Sequence, residues 1–122
     1  MSKIEEYTIR GKITRVTAYE SIDEIIAVIQ AHEQFHDGFI EYIGHDPNGT
    51  TIVFKHYADP EYKIYRLVFT GNAELFLDLD LQVRYIYEVS IKADDRTEVF
   101  FDGTGIIVKA DNVKLEVQEL LN

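Results

Sequence analysis

Residues 39–57, FIEYIGHDPNGTTIVFKHY, decide the fold class. Two runs rich in aromatic and β-branched residues, Phe39 to Gly44 and Thr51 to Tyr57, flank Asp46-Pro-Asn-Gly49. Pro47 presets φ for a turn and Gly49 tolerates the positive φ that follows, so the runs form an antiparallel hairpin. The same grammar continues downstream. Tyr62 to Thr70 is a third run, with Tyr65, Leu67 and Phe69 on one face, and Gly71-Asn72 ends it. Leu75, Leu77, Leu79 and Leu81 alternate with Glu74, Phe76, Asp78 and Asp80, the pattern of a half-buried strand. Tyr85, Tyr87, Val89 and Ile91 keep that period until Asp94-Asp95. Val99 and Phe101 lead into the turn Asp102-Gly-Thr-Gly105, across which Ile106 to Lys109 pairs. Asp111-Asn112 turns the chain into Val113, Leu115 and Val117.

Upstream of the hairpin the period changes. Residues 7–19 read as one long strand whose apolar parity switches near Thr14-Arg15, which predicts a β-bulge. Ser21-Ile-Asp-Glu24 is a capping box, and Ile22, Ile25, Ile26 and Ile29 then fall in one stripe at helical spacing. The helix is expected to reach Phe35 or His36, with Gly38 as a left-handed stop. With no second helix for a βαβ crossover, the sheet is expected to be largely antiparallel. The resulting fold class is α+β: a single domain, residues 1–122, with one N-terminal helix packed on eight or nine short strands.

Composition narrows the chemistry. The chain has 122 residues, 22 acids against 12 Lys and Arg, and a formal net charge of −10. Its bases stand singly among acids, as at Arg10, Lys12, Arg15, Arg66 and Arg84, so neither nucleic acid nor an anionic membrane surface is an expected partner. An acidic surface suits a basic protein, because opposite fields speed encounter. The absence of Cys excludes disulfides, thiolate metal sites and cysteine nucleophiles. The longest apolar run, Ile25 to Ile29, is too short for a membrane span, and the start, Met1-Ser-Lys-Ile-Glu-Glu, lacks the features of a signal peptide, so a cytoplasmic location is expected. The chain is expected to be a monomer or a homodimer, since an exposed sheet edge or a tyrosine-rich face would favour self-association.

One motif makes a specific chemical claim. Residues 32–36 read His-Glu-Gln-Phe-His, an H-E-x-x-H. On a helix this spacing puts two His on one face, where they share a zinc ion while the Glu activates its water. The pattern resembles that of the zincin metallopeptidases, which would make His32 and His36 ligands and Glu33 the general base. Zincins need a third protein ligand, and neither His45, His56 nor any downstream acid is singled out by spacing. The motif also closes its helix, at Asp37-Gly38. The reading preferred for both His is therefore structural: His36 on free carbonyls at the helix end, His32 half-buried beside the isoleucine stripe with one nitrogen satisfied. No catalytic set, metal site or cofactor is expected; a minimal zinc hydrolase is the alternative. Asp78 and Asp80 share a strand face and read as its wet side rather than a cation site.

A second resemblance rests on Phe35-His-Asp-Gly-Phe-Ile-Glu-Tyr-Ile43, Thr51-Ile-Val-Phe54 and Leu67-Val-Phe-Thr-Gly71. These stretches resemble small uncharacterised bacterial proteins in which an F-H-D triplet opens a β-hairpin and an apolar strand ending in F-x-G follows. Some of those proteins are immunity-like. Over residues 35–100 the resemblance implies a non-catalytic, protein-binding role, with His36 and Asp37 setting turn geometry.

Overall fold

The computed structural model describes residues 2–59, 63–78 and 83–121. The chain opens with two strands where one was expected: β1 (Ser2–Ile9) and β2 (Lys12–Tyr19). They pair in antiparallel register from Ser2↔Tyr19 to Ile9↔Lys12 without a break. The turn between them is Arg10-Gly11, at φ 53° and 76°. Two successive positive φ values make a tight hairpin turn whose twist matches that of the strands. The parity switch read as a bulge is thus the crossing from one strand to the next. An Arg in first position does not advertise such a turn as Asn or Asp would.

Helix α1 (Ile22–Ala31) begins as expected, with Ser21 Oγ accepting from the Glu24 backbone N–H at 3.1 Å. Ile25 and Ile29 are buried. The helix touches β8 and β11, one strand from each of the two sheets. After it come β3 (Gly38–Asp46), β4 (Gly49–Lys55), β5 (Ile64–Thr70), β6 (Glu74–Leu77), β7 (Tyr85–Ile86), β8 (Glu88–Ala93), β9 (Thr97–Asp102), β10 (Ile106–Ala110) and β11 (Asn112–Leu120). The start of the third run, Tyr62, lies outside the described residues, as do Leu79, Asp80 and Leu81 of the alternating leucine run. Within that run, Leu75 is half-buried while Leu77 is 48% exposed.

All pairings are antiparallel, as the turns require, but the described strands number eleven and form two sheets. The first has the order β1-β2-β11-β5-β4-β3-β7, the second β6-β10-β9-β8. The chain passes between them four times, twice through a corner of a single residue. Tyr87 separates β7 from β8, and Asp111 separates β10 from β11. Period 2 resumes after each corner with its parity shifted by one: Ile86 is followed by Val89, with Tyr85 and Tyr87 pointing out, and Ile106, Val108 and Ala110 are followed by Val113, Leu115 and Val117.

The inner faces of the two sheets share one core. Ile52 and Phe54 of β4, Tyr65, Leu67 and Phe69 of β5, and Val113, Leu115 and Val117 of β11 meet Val99 and Phe101 of β9 and Val108 and Ala110 of β10. The Phe54 and Phe101 rings, from opposite sheets, lie 6.0 Å apart at 72°. Each such side chain contributes about 1.5–3 kcal/mol by leaving water. The Asp46-Pro-Asn-Gly49 hairpin forms as read. Asp46 Oδ1 accepts from the N–H groups of Asn48 at 2.8 Å and Gly49 at 3.2 Å. Gly49, at φ 152°, lies so close to β5 that a Cβ would stand 2.2 Å from the Phe69 carbonyl oxygen. Among the described residues no helix is long and apolar enough to cross a membrane.

Candidate functional site

The H-E-x-x-H does not lie on one helix. α1 stops at Ala31, His32 caps it at φ −109°, and Glu33, Gln34 and Phe35 follow at φ 55°, 55° and 56°. Phe35 N–H bonds the His32 carbonyl at 2.9 Å and His36 N–H the Glu33 carbonyl at 3.1 Å. The three residues thus make a single turn of left-handed 3₁₀ helix. Left-handed conformation costs a non-glycine residue about 1–2 kcal/mol, so this turn is held by its surroundings. Asp37 follows at φ 63°, while Gly38, expected as the left-handed stop, is the first residue of β3. Gly38 is needed there for another reason: a Cβ would stand 2.8 Å from the Phe35 carbonyl oxygen and 3.1 Å from that of Lys55.

What holds the turn is an aromatic cluster. Phe35 is fully buried. Its ring meets Phe54 at 4.9 Å, Tyr65 at 4.7 Å and His56 at 5.7 Å, and stacks on His32 at 5.2 Å and 12°. Burying one ring against four others anchors the left-handed residues on either side of it. His32 is half-buried and donates from Nδ1 to the Val28 carbonyl at 2.8 Å, as the structural reading expects. His36 lies beyond the helix rather than at its end, and donates from Nδ1 to the Tyr87 carbonyl at 2.7 Å. Glu33 is exposed. The zinc-sharing face of the H-E-x-x-H pattern is therefore not formed. Among the described residues no three His, Asp or Glu side chains converge on a point that could hold a metal ion.

Three polar side chains join this cluster without having been singled out. His56 is buried, donates from Nε2 to the His36 carbonyl at 3.1 Å, and has a buried Nδ1 with no hydrogen-bond partner. The Tyr65 hydroxyl donates a short hydrogen bond to Asp59. Burial first, then that carboxylate, holds the Tyr65 phenol well above the ordinary tyrosine value. The clue to His56 was present in the sequence, since it continues the buried set Thr50, Ile52, Phe54 of β4 at period 2. Nothing in the sequence pairs Asp59 with Tyr65. Asp37, expected to set turn geometry, has its carboxylate 3.6 Å from His36 Nε2.

On its outer side the turn docks against the first corner and forms a surface patch. Asp37 N–H bonds the Ile86 carbonyl at 2.9 Å, and Tyr87 N–H bonds the Asp102 carbonyl at 2.7 Å. Tyr85 and Tyr87 are 65% and 62% exposed. Tyr87 stands edge-on to His36 at 5.2 Å, and Tyr85 meets Phe39 at 5.2 Å. Around these rings stand Asp37, Glu88 and Asp102, the last two directly opposite each other across β8 and β9. Among the described residues no Lys or Arg pairs with any of the three. The surface is thus a set of open aromatic faces beside three carboxylates, of which Asp37 alone has a basic neighbour, His36. No family model, curated protein or solved structure matches the chain.

Proposed function

We propose that the chain is a non-catalytic, immunity-like binding module of a bacterial cell, engaging a basic protein through the patch of Tyr85, Tyr87, Asp37, Glu88 and Asp102. The observation that carries the reading is that patch: carboxylates with no Lys or Arg partner among the described residues, beside two tyrosines that expose more than half of their surface. Exposed aromatic faces take Lys or Arg by cation–π contact, and carboxylates on neighbouring residues complete the recognition with charge-assisted hydrogen bonds. Tyrosine is also enriched where protein interfaces carry most of their energy. The net charge of −10 adds long-range attraction for a basic partner, which raises the association rate and makes it sensitive to salt. The resemblance of residues 35–100 to small bacterial proteins, some of them immunity-like, points the same way.

The test is an NMR titration with a short Lys/Arg-rich peptide, at about 50 and about 300 mM salt. The shifts are expected to concentrate on residues 36–39, 85–88 and 102–103, to weaken at the higher salt, and to be lost in a Glu88→Gln/Asp102→Asn variant. Shifts spread evenly over every acidic surface, or surviving that double substitution, would overturn the assignment of the patch.

A further inference from the structure

We infer that the free edge of β1 is a self-complementary surface that pairs two copies of this chain into a symmetric dimer. β1 forms one edge of the seven-stranded sheet, bonded on one side only, to β2. Ser2 to Thr8 are all exposed, including Ile4 at 62% and Tyr7 at 42%. The register with β2 runs without a bulge, and β1 contains no Pro. It therefore presents an extended row of unpaired backbone groups, which natural edges usually interrupt.

The occupant follows from the order of the side chains. A two-fold axis normal to the sheet brings β1 against itself antiparallel, and places residues of like parity opposite each other. Centring the axis on Ile4 sets Ile4 against Ile4, Lys3 against Glu5 twice and Ser2 against Glu6 twice. Centring it on Lys3, Glu5 or Glu6 instead sets that charge against its own copy. Opposite charges directly across an antiparallel pair stabilise it, and like charges destabilise it. Only the Ile4-centred register combines an apolar pair with two ion pairs. Glu6 is already compensated within its own chain, by Arg15 at 2.9 Å, so it adds little repulsion. Lys3 lies 3.5 Å from Glu20 with 72% of its side chain exposed, and remains open to a second carboxylate. The sheet that results is continuous through both copies, with fourteen strands, twice the seven of one chain. This edge is the opposite end of the sheet from β7, so pairing leaves the acid and tyrosine patch free.

The experiment is sedimentation equilibrium on the full chain, without an N-terminal tag, comparing wild type with Lys3→Glu, Glu5→Lys and the double swap Lys3→Glu/Glu5→Lys. Wild type is expected to dimerise. Each single substitution turns both cross-strand pairs into like charges and is expected to raise the dissociation constant about tenfold or more. The double swap is expected to restore it. Circular dichroism of each variant shows that the exposed substitutions leave the fold intact. A monomeric wild type, a dimer indifferent to the single substitutions, or a double swap that fails to recover would overturn the proposal.

Discussion

Replacing Glu33 by Gly is expected to leave the protein more stable than replacing it by Ala. Glu33 stands at φ 55°, the first of three successive left-handed residues, and its side chain is exposed. Removing the side chain therefore sacrifices little packing, and both variants lose the same carboxylate just beyond the helix C-terminus, where a negative charge is unfavourable. They differ only in the backbone. Ala keeps the Cβ clash of the left-handed region, about 1–2 kcal/mol, which Gly removes. Gly gives back about 0.4–1 kcal/mol through the greater freedom of its unfolded chain. The difference should then be about 0.5–1 kcal/mol in favour of Gly, or about 2–4 °C in Tm for a domain of this size. Urea denaturation followed by circular dichroism gives the free energies, and differential scanning calorimetry gives Tm. If Ala equals or exceeds Gly, the left-handed turn is not where the chain carries strain, and the account of how Phe35 anchors it fails.

Other perturbations test other parts of the same account. Tyr65→Phe removes the hydroxyl bonded to Asp59 and should cost about 1–2 kcal/mol in urea titrations near neutral pH. Because burial raises the Tyr65 value in the folded protein, its contribution is complete below the ordinary tyrosine value near 10 and is lost as pH rises above it. Wild type should therefore lose stability above about pH 10 more steeply than Tyr65→Phe, and parallel curves would remove Tyr65 from the alkaline transition. Gly49→Ala drives a Cβ against the Phe69 carbonyl at a φ reserved for glycine, and should cost about 2 kcal/mol or more. Adding zinc should leave the thermal midpoint unchanged, because His32 and His36 already engage the Val28 and Tyr87 carbonyls and share no helix face. A rise of several degrees, abolished by His32→Ala, would restore the H-E-x-x-H as a metal site.

The parts of the fold that were legible in the sequence are those fixed by neighbours. Ser21 caps α1 because its hydroxyl needs only the Glu24 N–H, three residues away. Asp46 closes its hairpin with Asn48 and Gly49. Thr104, in the turn between β9 and β10, likewise bonds Phe101 O at 2.6 Å and Ile106 N at 3.2 Å. What escaped was set by distant contacts. The helix was read to continue past Ala31 because residues 32–36 raise no local objection to it; the left-handed turn prevails because Phe35 buries against Phe54, Tyr65 and His56. The two sheets were read as one because the shift of parity at Tyr87 and at Asp111 is the same mark that an ordinary turn within one sheet leaves. The patch residues were visible singly, as tyrosines and acids, but Asp37 and Asp102 meet around Tyr87 only after residues 65 apart in sequence fold together.

The place of β11 has a consequence for synthesis. It lies inside the seven-stranded sheet, between β2 and β5, so it pairs Leu115 with Tyr19 on one side and with Leu67 on the other. A ribosome makes β1 and β2 long before β11, yet in this sheet no other strand adjoins them until residues near 120 have emerged. While residues 20–111 are made, that hairpin waits with its inner strand unpaired. Closing so long a loop slows folding, and an unsealed strand is an opportunity for other chains. β11 is the keystone, and nascent chains stalled before it should be the ones that aggregate or recruit chaperones.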